Sequence, residues 1–246
     1  PGQPWPRGAP SAGGRPLALL DGHPPVRDQL AWLGREAPSY LVTYPNNAAA
    51  LIAEIEDQGT ELPDLLELGT LGEVLPAGLR ESCRRVLGVP LVDAYSTVEL
   101  GYLALQCPEH EHYHVQSEHV FVEILRDDGA PCAIGESGRV VATALHAFAM
   151  PLIRYELGDY ATVGAPCPCG RGLPVLDRIL GRARNMLRLP DGDVLWPRYG
   201  TPVLGKLFTL RQFRLLPTGL QSLGPDIVAY RPVLALIHIS QPTQPY

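Results

Sequence analysis

Residues 150–159 read Met-Pro-Leu-Ile-Arg-Tyr-Glu-Leu-Gly-Asp, residues 167–171 read Cys-Pro-Cys-Gly-Arg, and residues 181–188 read Gly-Arg-Ala-Arg-Asn-Met-Leu-Arg. The first stretch reads as a strand over 151–155 with Gly158-Asp159 at its end, an arrangement that presents one carboxylate at a strand tip. A carboxylate has two acceptor oxygens, so a single Asp can hold both hydroxyls of a ribose. The second stretch supplies two thiols one residue apart, and the third opens on a Gly-Arg turn.

Outward from this region the chain changes period. Val120, Val122 and Ile124 alternate with His119, Phe121 and Glu123, the period of a strand with one buried face. Asp128-Gly129 is a hairpin signal, and residues 138–144 form a further strand candidate, so this half reads as antiparallel β. The first hundred residues read differently. Apolar runs at 17–20, 40–44, 65–68 and 91–95 alternate with helical stretches at 26–34, 48–57 and 76–86. In the first helix Leu30, Trp32 and Leu33 point inward. Asn46 or Asn47 can cap the second helix and Gly59 lies past its end; Pro76 opens the third and Gly88 stops it. Strand alternating with helix predicts a parallel sheet covered by helices. The expected fold is therefore α/β, a parallel α/β part followed by a mostly antiparallel β subdomain that shares an interface with it.

Composition narrows the function. The chain has 246 residues, 46% hydrophobic and 19% charged, which suits a globular protein with a substantial core. A net charge of −6 argues against a general nucleic-acid binder, which needs clustered Lys and Arg. No apolar run is long enough to span a bilayer, and no basic segment followed by an apolar one marks a signal peptide, so the expected compartment is the cytoplasm. The five cysteines are an odd count and include a Cys-x-Cys pair, a pattern closer to metal binding than to a disulfide framework.

Tetrahedral Zn²⁺ takes thiolate sulfur and imidazole nitrogen. Cys167 and Cys169 come from one loop, and Cys107 precedes His110, His112 and His114 in another, so three cysteines and one of the three histidines make a full ligand set. Such a closed site is structural, pinning one loop to the other; no His-Glu-x-x-His helix suggests a hydrolytic zinc. Cys83 falls in the 76–86 helix and reads as a small buried hydrophobe, and Cys132 has no partner nearby in sequence.

These motifs, in this order, resemble the nucleotide-binding core of the adenylate-forming (AMP-binding) superfamily, and within it the phenylacetate–CoA ligase-like, or CapK-like, group. The resemblance covers residues 17–233. Where that group has Tyr-Arg-Thr-Gly-Asp, whose Asp grips the ribose, this chain has Tyr155-Glu156-Leu157-Gly158-Asp159. Where it has Tyr-Gly-x-Thr/Ser-Glu directly after a strand, this chain has Tyr95-Ser96-Thr97-Val98-Glu99. The resemblance implies that Tyr95 lies against adenine and that Glu99 engages Mg²⁺ and is the catalytic residue carried here. Ser96, which replaces a glycine, is counted with the nucleotide-binding residues, and Val98 stands where a phosphate-binding hydroxyl is expected. It also implies that Gly72-Glu73, in the glycine turn 69–73, lies under the adenine and that Arg182 reaches the nucleotide. Asn185 stands at the joint on which a small C-terminal domain rotates. Among the histidines the resemblance selects His114, seven residues after Cys107, to complete Cys107, Cys167 and Cys169.

The function the resemblance implies is an acyl- or aryl-CoA ligase. A small carboxylic acid, expected to be aryl, is activated with ATP and Mg²⁺ to an acyl-adenylate, and the acyl group passes to CoA as acceptor with release of AMP. No nucleic acid or membrane partner is implied, and a homodimer is compatible with the reading. The expected organisation is a partial AMP-binding large domain over 1–184, a hinge and the start of a truncated small domain over 185–234, and a tail over 235–246 that reads as non-native sequence. In that family a Ser/Thr/Gly-rich phosphate loop precedes the segment matched here, and a catalytic Lys lies near the end of the small domain. The chain contains neither; its one lysine is Lys206. The expectation is a fragment, inactive in adenylation alone. The reading from a different class is a zinc-stabilised, non-catalytic nucleotide-binding or interaction module.

Overall fold

The computed structural model describes residues 17–20, 24–188, 194–196, 210–219, 222–229 and 239–240. It divides into two compact units, residues 1–183 and 184–246. Much of the second unit, and the 235–246 tail apart from 239–240, lies outside the described residues.

In the first unit, helix α1 (Val26–Glu36), strand β1 (Tyr40–Thr43), helix α2 (Pro45–Gln58), strand β2 (Glu67–Leu71), helix α3 (Leu79–Leu87) and strand β3 (Leu91–Thr97) follow one another. β1 pairs with β2 and β2 with β3, both parallel, as the strand–helix alternation predicts. Six antiparallel-paired strands follow: β4 (Gly101–Gln106), β5 (Tyr113–Val115), β6 (Val120–Leu125), β7 (Ser137–Ala144), β8 (Tyr155–Val163) and β9 (Val175–Arg182). The architecture is α/β, but the two halves are not separate sheets. All nine strands form one mixed sheet in the order β1-β2-β3-β4-β5-β9-β8-β7-β6.

Several element boundaries differ from the sequence reading, each for a local reason. Residues 17–20 form no strand, and Leu17, Leu19 and Leu20 are exposed; among the described residues no strand pairs with them. β1 is an edge strand with Tyr40 and Val42 exposed, where a buried strand is expected from its composition. Helix α2 begins at Pro45 with no side-chain cap. The Asn46 backbone N–H goes instead to Glu73, and Asn47 bonds Gln29 and Thr43. Helix α3 begins three residues after Pro76, because Gly78 precedes it at φ 80°, a left-handed conformation no helix can include. Gly69 and Thr70 belong to β2 rather than to a glycine turn. Gly69 admits the Val42 side chain, whose Cγ2 lies 3.1 Å from where a Cβ would stand.

The antiparallel core is centred on Leu103, Ala104, Val120, Val140 and Ala161, all essentially inaccessible. Ala48, Ile52, Leu68, Leu79, Cys83 and Leu91 pack α2 and α3 against the parallel strands; Cys83 is buried, and burial pushes its thiol up to about 11. Leu30, Leu33, Leu51 and Ile55 lock α1 to α2, with Trp32 only partly buried. Fully burying side chains of this size stabilises by about 1.5–3 kcal/mol each, so the sheet is a rigid frame for whatever its strands present.

In the second unit, strands β10 (Leu187–Arg188) and β11 (Val194–Leu195) pair antiparallel. β12 (Leu210–Gly219), β13 (Ser222–Ala229) and β14 (Ile239–Ser240) form a small antiparallel sheet. Asn185 lies in a 3₁₀ turn, Ala183–Asn185. It does not use left-handed backbone, which among described non-glycine residues occurs only at Ala37 and Arg154. Among the described residues no helix is long and apolar enough to cross a membrane.

Candidate functional site

Residues 150–159 fold differently from the expected strand with a carboxylate at its tip. Residues 151–154 are irregular, and Arg154 turns at φ 48° into β8. Its backbone N–H donates to Thr143 Oγ1 at 2.9 Å and its guanidinium pairs with Glu123 at 3.1 Å. Asp159 therefore lies inside β8, not beyond its end. The ladder of β7 and β8 slips between Arg139 and Val141, which leaves an extra stretch of β8 opposite Val140. Gly158, at φ 72°, absorbs that bulge. Bulges re-aim side chains, and here the side chain re-aimed is Asp159.

Asp159 is 6% exposed. The Tyr95 hydroxyl donates to its Oδ2 at 2.8 Å, and Arg182 Nε lies 3.1 Å from its Oδ1. Asp159 and Arg182 are direct partners in the β8–β9 ladder, so Gly181-Arg182 ends a strand where a turn is expected. Arg182 also donates from Nη1 to the Leu157 carbonyl at 2.9 Å, and its side chain is 52% exposed. Burial, and then the negative charge of Asp159, pushes the Tyr95 phenol well above its ordinary range, so it stays a proton donor. Tyr95, Ser96 and Thr97 continue β3 rather than forming the turn after it. The turn is Val98 to Leu100, closed by the Leu100 N–H donating to Thr97 Oγ1 at 3.1 Å. Val98 and Glu99 are exposed there.

The structure thus brings together Tyr95, Asp159 and Arg182. Ser96 follows Tyr95 in β3, and Glu99 lies in the exposed turn after it. Gly72 follows the C-terminal end of β2, beside β3, with the Tyr44 ring 3.0 Å from where a Cβ would stand. Glu73 is engaged at the start of α2, with Oε2 accepting from Asn46.

The second set lies where β5 is flanked by β4 and β9. The 107–112 hairpin is closed by the Cys107 N–H donating to the His112 carbonyl at 2.8 Å, and His114 pairs with Val175, just beyond the cysteine loop. Among the described residues, Cys107, His114, Cys167 and Cys169 form the group able to hold a metal ion, with ligand atoms all within 4.8 Å of one another. Cys107 Sγ and Cys167 Sγ are 3.8 Å apart, and Cys169 Sγ lies 3.3 Å from His114 Nε2. His110 and His112 stand outside that group and stack on each other, ring centroids 5.1 Å apart. Burial, then the charges of His114 and His110, lowers the His112 imidazole below its ordinary range. The backbone N–H of Arg171 is the largest influence holding the Cys169 thiol down at about 7, while desolvation pushes Cys167 up to about 11. His114 Nδ1 is buried without a hydrogen-bond partner.

A third set is absent from the sequence reading. Asp93, 4% exposed, accepts from Thr70 Oγ1 at 2.5 Å and from the Tyr113 hydroxyl at 2.6 Å. The signal available in the sequence is an acidic residue on the inward face of β3, in register with Leu91 and Tyr95.

No protein-family model matches the chain. A phenylacetate-coenzyme A ligase of Thermus thermophilus is 32% identical over 158 residues, 61% of this chain and 35% of that protein. Its Escherichia coli counterpart is 31% identical over 157 residues, 61% and 36% respectively. The chain spans about a third of the length of these relatives. Among solved structures, a 2-hydroxyisobutyryl-CoA ligase in complex with R3-HIB-AMP aligns with TM-score 0.70 at 19% identity, over 84% of this chain and 47% of that one. An anthranilate CoA ligase in complex with anthranoyl-AMP aligns with TM-score 0.65 at 17% identity, over 85% and 43%. The o-succinylbenzoate coenzyme A synthetase of Bacillus subtilis, in complex with ATP and magnesium ion, aligns with TM-score 0.58 at 18% identity, over 86% and 46%.

Proposed function

We propose that this chain, similar to phenylacetate-coenzyme A ligases over 61% of its length, belongs to the phenylacetate–CoA ligase-like group of the adenylate-forming superfamily, and that its first unit is the nucleotide-gripping part of an acyl- or aryl-CoA ligase. The enzyme activates a small carboxylic acid with ATP and hands the acyl group to CoA. The observation that carries the proposal is the buried Asp159 carboxylate, held from β3 by Tyr95 and from β9 by Arg182.

Both Asp159 oxygens are engaged, one by a buried phenol and one by a half-exposed guanidinium. Arg182 is the partner that can yield. The two ribose hydroxyls take its place on the carboxylate, and the guanidinium swings toward a neighbouring phosphate or ring oxygen without leaving the site. Tyr95 keeps the carboxylate aimed and offers its ring edge to the base. Glu99, exposed in the adjoining turn, is a hard oxygen donor free to meet a phosphate-bound Mg²⁺, which takes one or two carboxylates and keeps several waters. Gly72-Glu73, at the neighbouring strand end, form the floor under the base. The acid is a small one, read as aryl after the anthranilate and o-succinylbenzoate enzymes that share the fold.

The Cys107, His114, Cys167 and Cys169 set fits a structural Zn²⁺. Three sulfurs and one imidazole nitrogen, all within 4.8 Å of one another, are the donors that zinc prefers, and four such ligands leave no open position for water. The ion fastens the β4–β5 hairpin to the loop before β9, in a cytoplasm that keeps thiols reduced. The same cluster is what the zinc-stabilised, non-catalytic module reading rests on.

A pyrophosphate-release assay with aryl carboxylates, ATP, Mg²⁺ and CoA separates the two readings when the chain is supplied within its longer protein. The ligase reading expects turnover there and none from the 246 residues alone, which contain no phosphate loop and only Lys206 as a lysine. Robust turnover by the 246 residues alone refutes the fragment reading. No turnover in the longer protein, together with zinc-dependent folding, favours the non-catalytic module.

A further inference from the structure

Cys107 and His114 are presented by two strands whose preceding residues, Gln106 and Tyr113, face each other in the β4–β5 ladder. Both of these residues are bonded to Asp93. The Asp93 backbone N–H donates to Gln106 Oε1 at 2.9 Å, and the Tyr113 hydroxyl donates to Asp93 Oδ2 at 2.6 Å. The other carboxylate oxygen accepts from Thr70 on β2 at 2.5 Å. One residue of β3 thus ties the parallel strands to the root of the hairpin that carries two of the four candidate metal ligands. Arg80, on α3, lies close enough for its charge to act on Asp93 and also approaches Glu111 within the hairpin at 3.9 Å.

The residue type matters. A carboxylate accepts two hydroxyl hydrogens at once, one on each oxygen; an Asn offers one acceptor oxygen and an amide that donates. Burying a carboxylate is costly, and an apolar residue of similar volume is usually as stabilising or more so. An acid at this position therefore calls for a role other than stability, and the bonds it makes lead to the ligand-bearing strands.

We propose that Asp93 is a positioning residue for the metal clip: through Gln106 and Tyr113 it sets the separation of Cys107 and His114 before an ion enters. The proposal rests on the zinc reading of the Cys/His set. Asp93 touches no ligand atom and acts one residue removed from each of two ligands. Groups that orient metal ligands from outside the coordination sphere are worth about 10- to 100-fold in metal affinity, and Asp93→Asn and Tyr113→Phe are each expected to weaken zinc by that factor.

The test is a competitive titration of the whole chain with zinc and a chromophoric chelator, repeated with Co²⁺ to read the tetrahedral ligand-field bands. Ile52→Val, in the core between α2, α3 and the parallel strands, is the stability control and leaves zinc affinity unchanged. Weaker zinc binding with altered Co²⁺ bands in both variants, at native circular dichroism, supports the proposal. Affinities within threefold of the parent in both folded variants overturn it while leaving the zinc reading intact. A parent chain that binds no zinc overturns both. Should Asp93→Asn fail to fold, Tyr113→Phe, which keeps the carboxylate, decides the matter.

Discussion

Asp159→Asn separates a nucleotide grip from a structural ion pair. The substitution keeps an acceptor oxygen for the Tyr95 hydroxyl but removes the charge, and it dissolves the ion pair with Arg182. A hydrogen bond to a charged group contributes about 1.5–3 kcal/mol and a neutral one about 1, so the Tyr95 bond weakens by about 1 kcal/mol. The pair with Arg182, half in solvent, adds about 0.5–1 kcal/mol once screening is counted. A loss near 2 kcal/mol is small against the 5–15 kcal/mol of an ordinary domain, so the variant folds. Nucleotide affinity responds more steeply. Two ribose hydroxyls each lose a charged acceptor, and about 1 kcal/mol per bond, at 1.4 kcal/mol per decade, weakens AMP binding about 10- to 30-fold. Isothermal titration with AMP and with 2′,3′-dideoxy-AMP closes the cycle. The parent prefers AMP by that factor and the variant shows almost no preference. A parent that binds the two nucleotides equally, or a variant that keeps the full preference, refutes ribose binding at Asp159.

Chelation tests the clip: at a thousandfold excess of zinc over its dissociation constant the ion contributes about 4 kcal/mol, and its removal is expected to lower the melting temperature by about 10 °C, reversibly on zinc addition; an unchanged melting curve removes the metal from the account. Gly138→Ala is expected to cost about 3 kcal/mol in urea denaturation, because its Cβ would stand 2.6 Å from Cys132 Sγ and closer still to the Leu125 carbonyl oxygen, which cannot rotate away; a loss below about 1 kcal/mol contradicts the packing at the start of β7. Burial raises the Asp93 carboxyl above the ordinary 3.8, so its contribution is present in full below pH 3.8 and is lost as pH rises through the raised value in the folded protein. The stability of the parent relative to Asp93→Asn, measured by urea titration at matched metal content, therefore falls as pH rises across that window, and a rise contradicts the buried, charge-disfavouring setting described for Asp93.

The alternation of apolar runs with capped helical stretches in the first hundred residues, and the period-two pattern at 119–124, made the α/β architecture legible, because periodicity reports directly which face of an element is buried. The candidate metal group was legible as residue types, since thiols and imidazoles clustered in two short loops match the donors that zinc takes. Other features followed from the way strands pair. Nothing local announces that β5 lies between β4 and β9, yet that register carries His114 to the cysteine loop and leaves His110 and His112 outside the group. Nor does residue order reveal that Asp159 sits inside a bulged strand facing Tyr95, sixty-four residues earlier, and Arg182. By itself the sequence determined the three helices and the parallel strands they join, the strands around 120–124 and 138–144, and which side chains have chemistry to offer; it did not mark β4, β5 or β9. Only the tertiary structure decided which of those side chains meet, because contacts between distant residues depend on ladder register and strand order, and a slip of one residue turns a side chain to the opposite face.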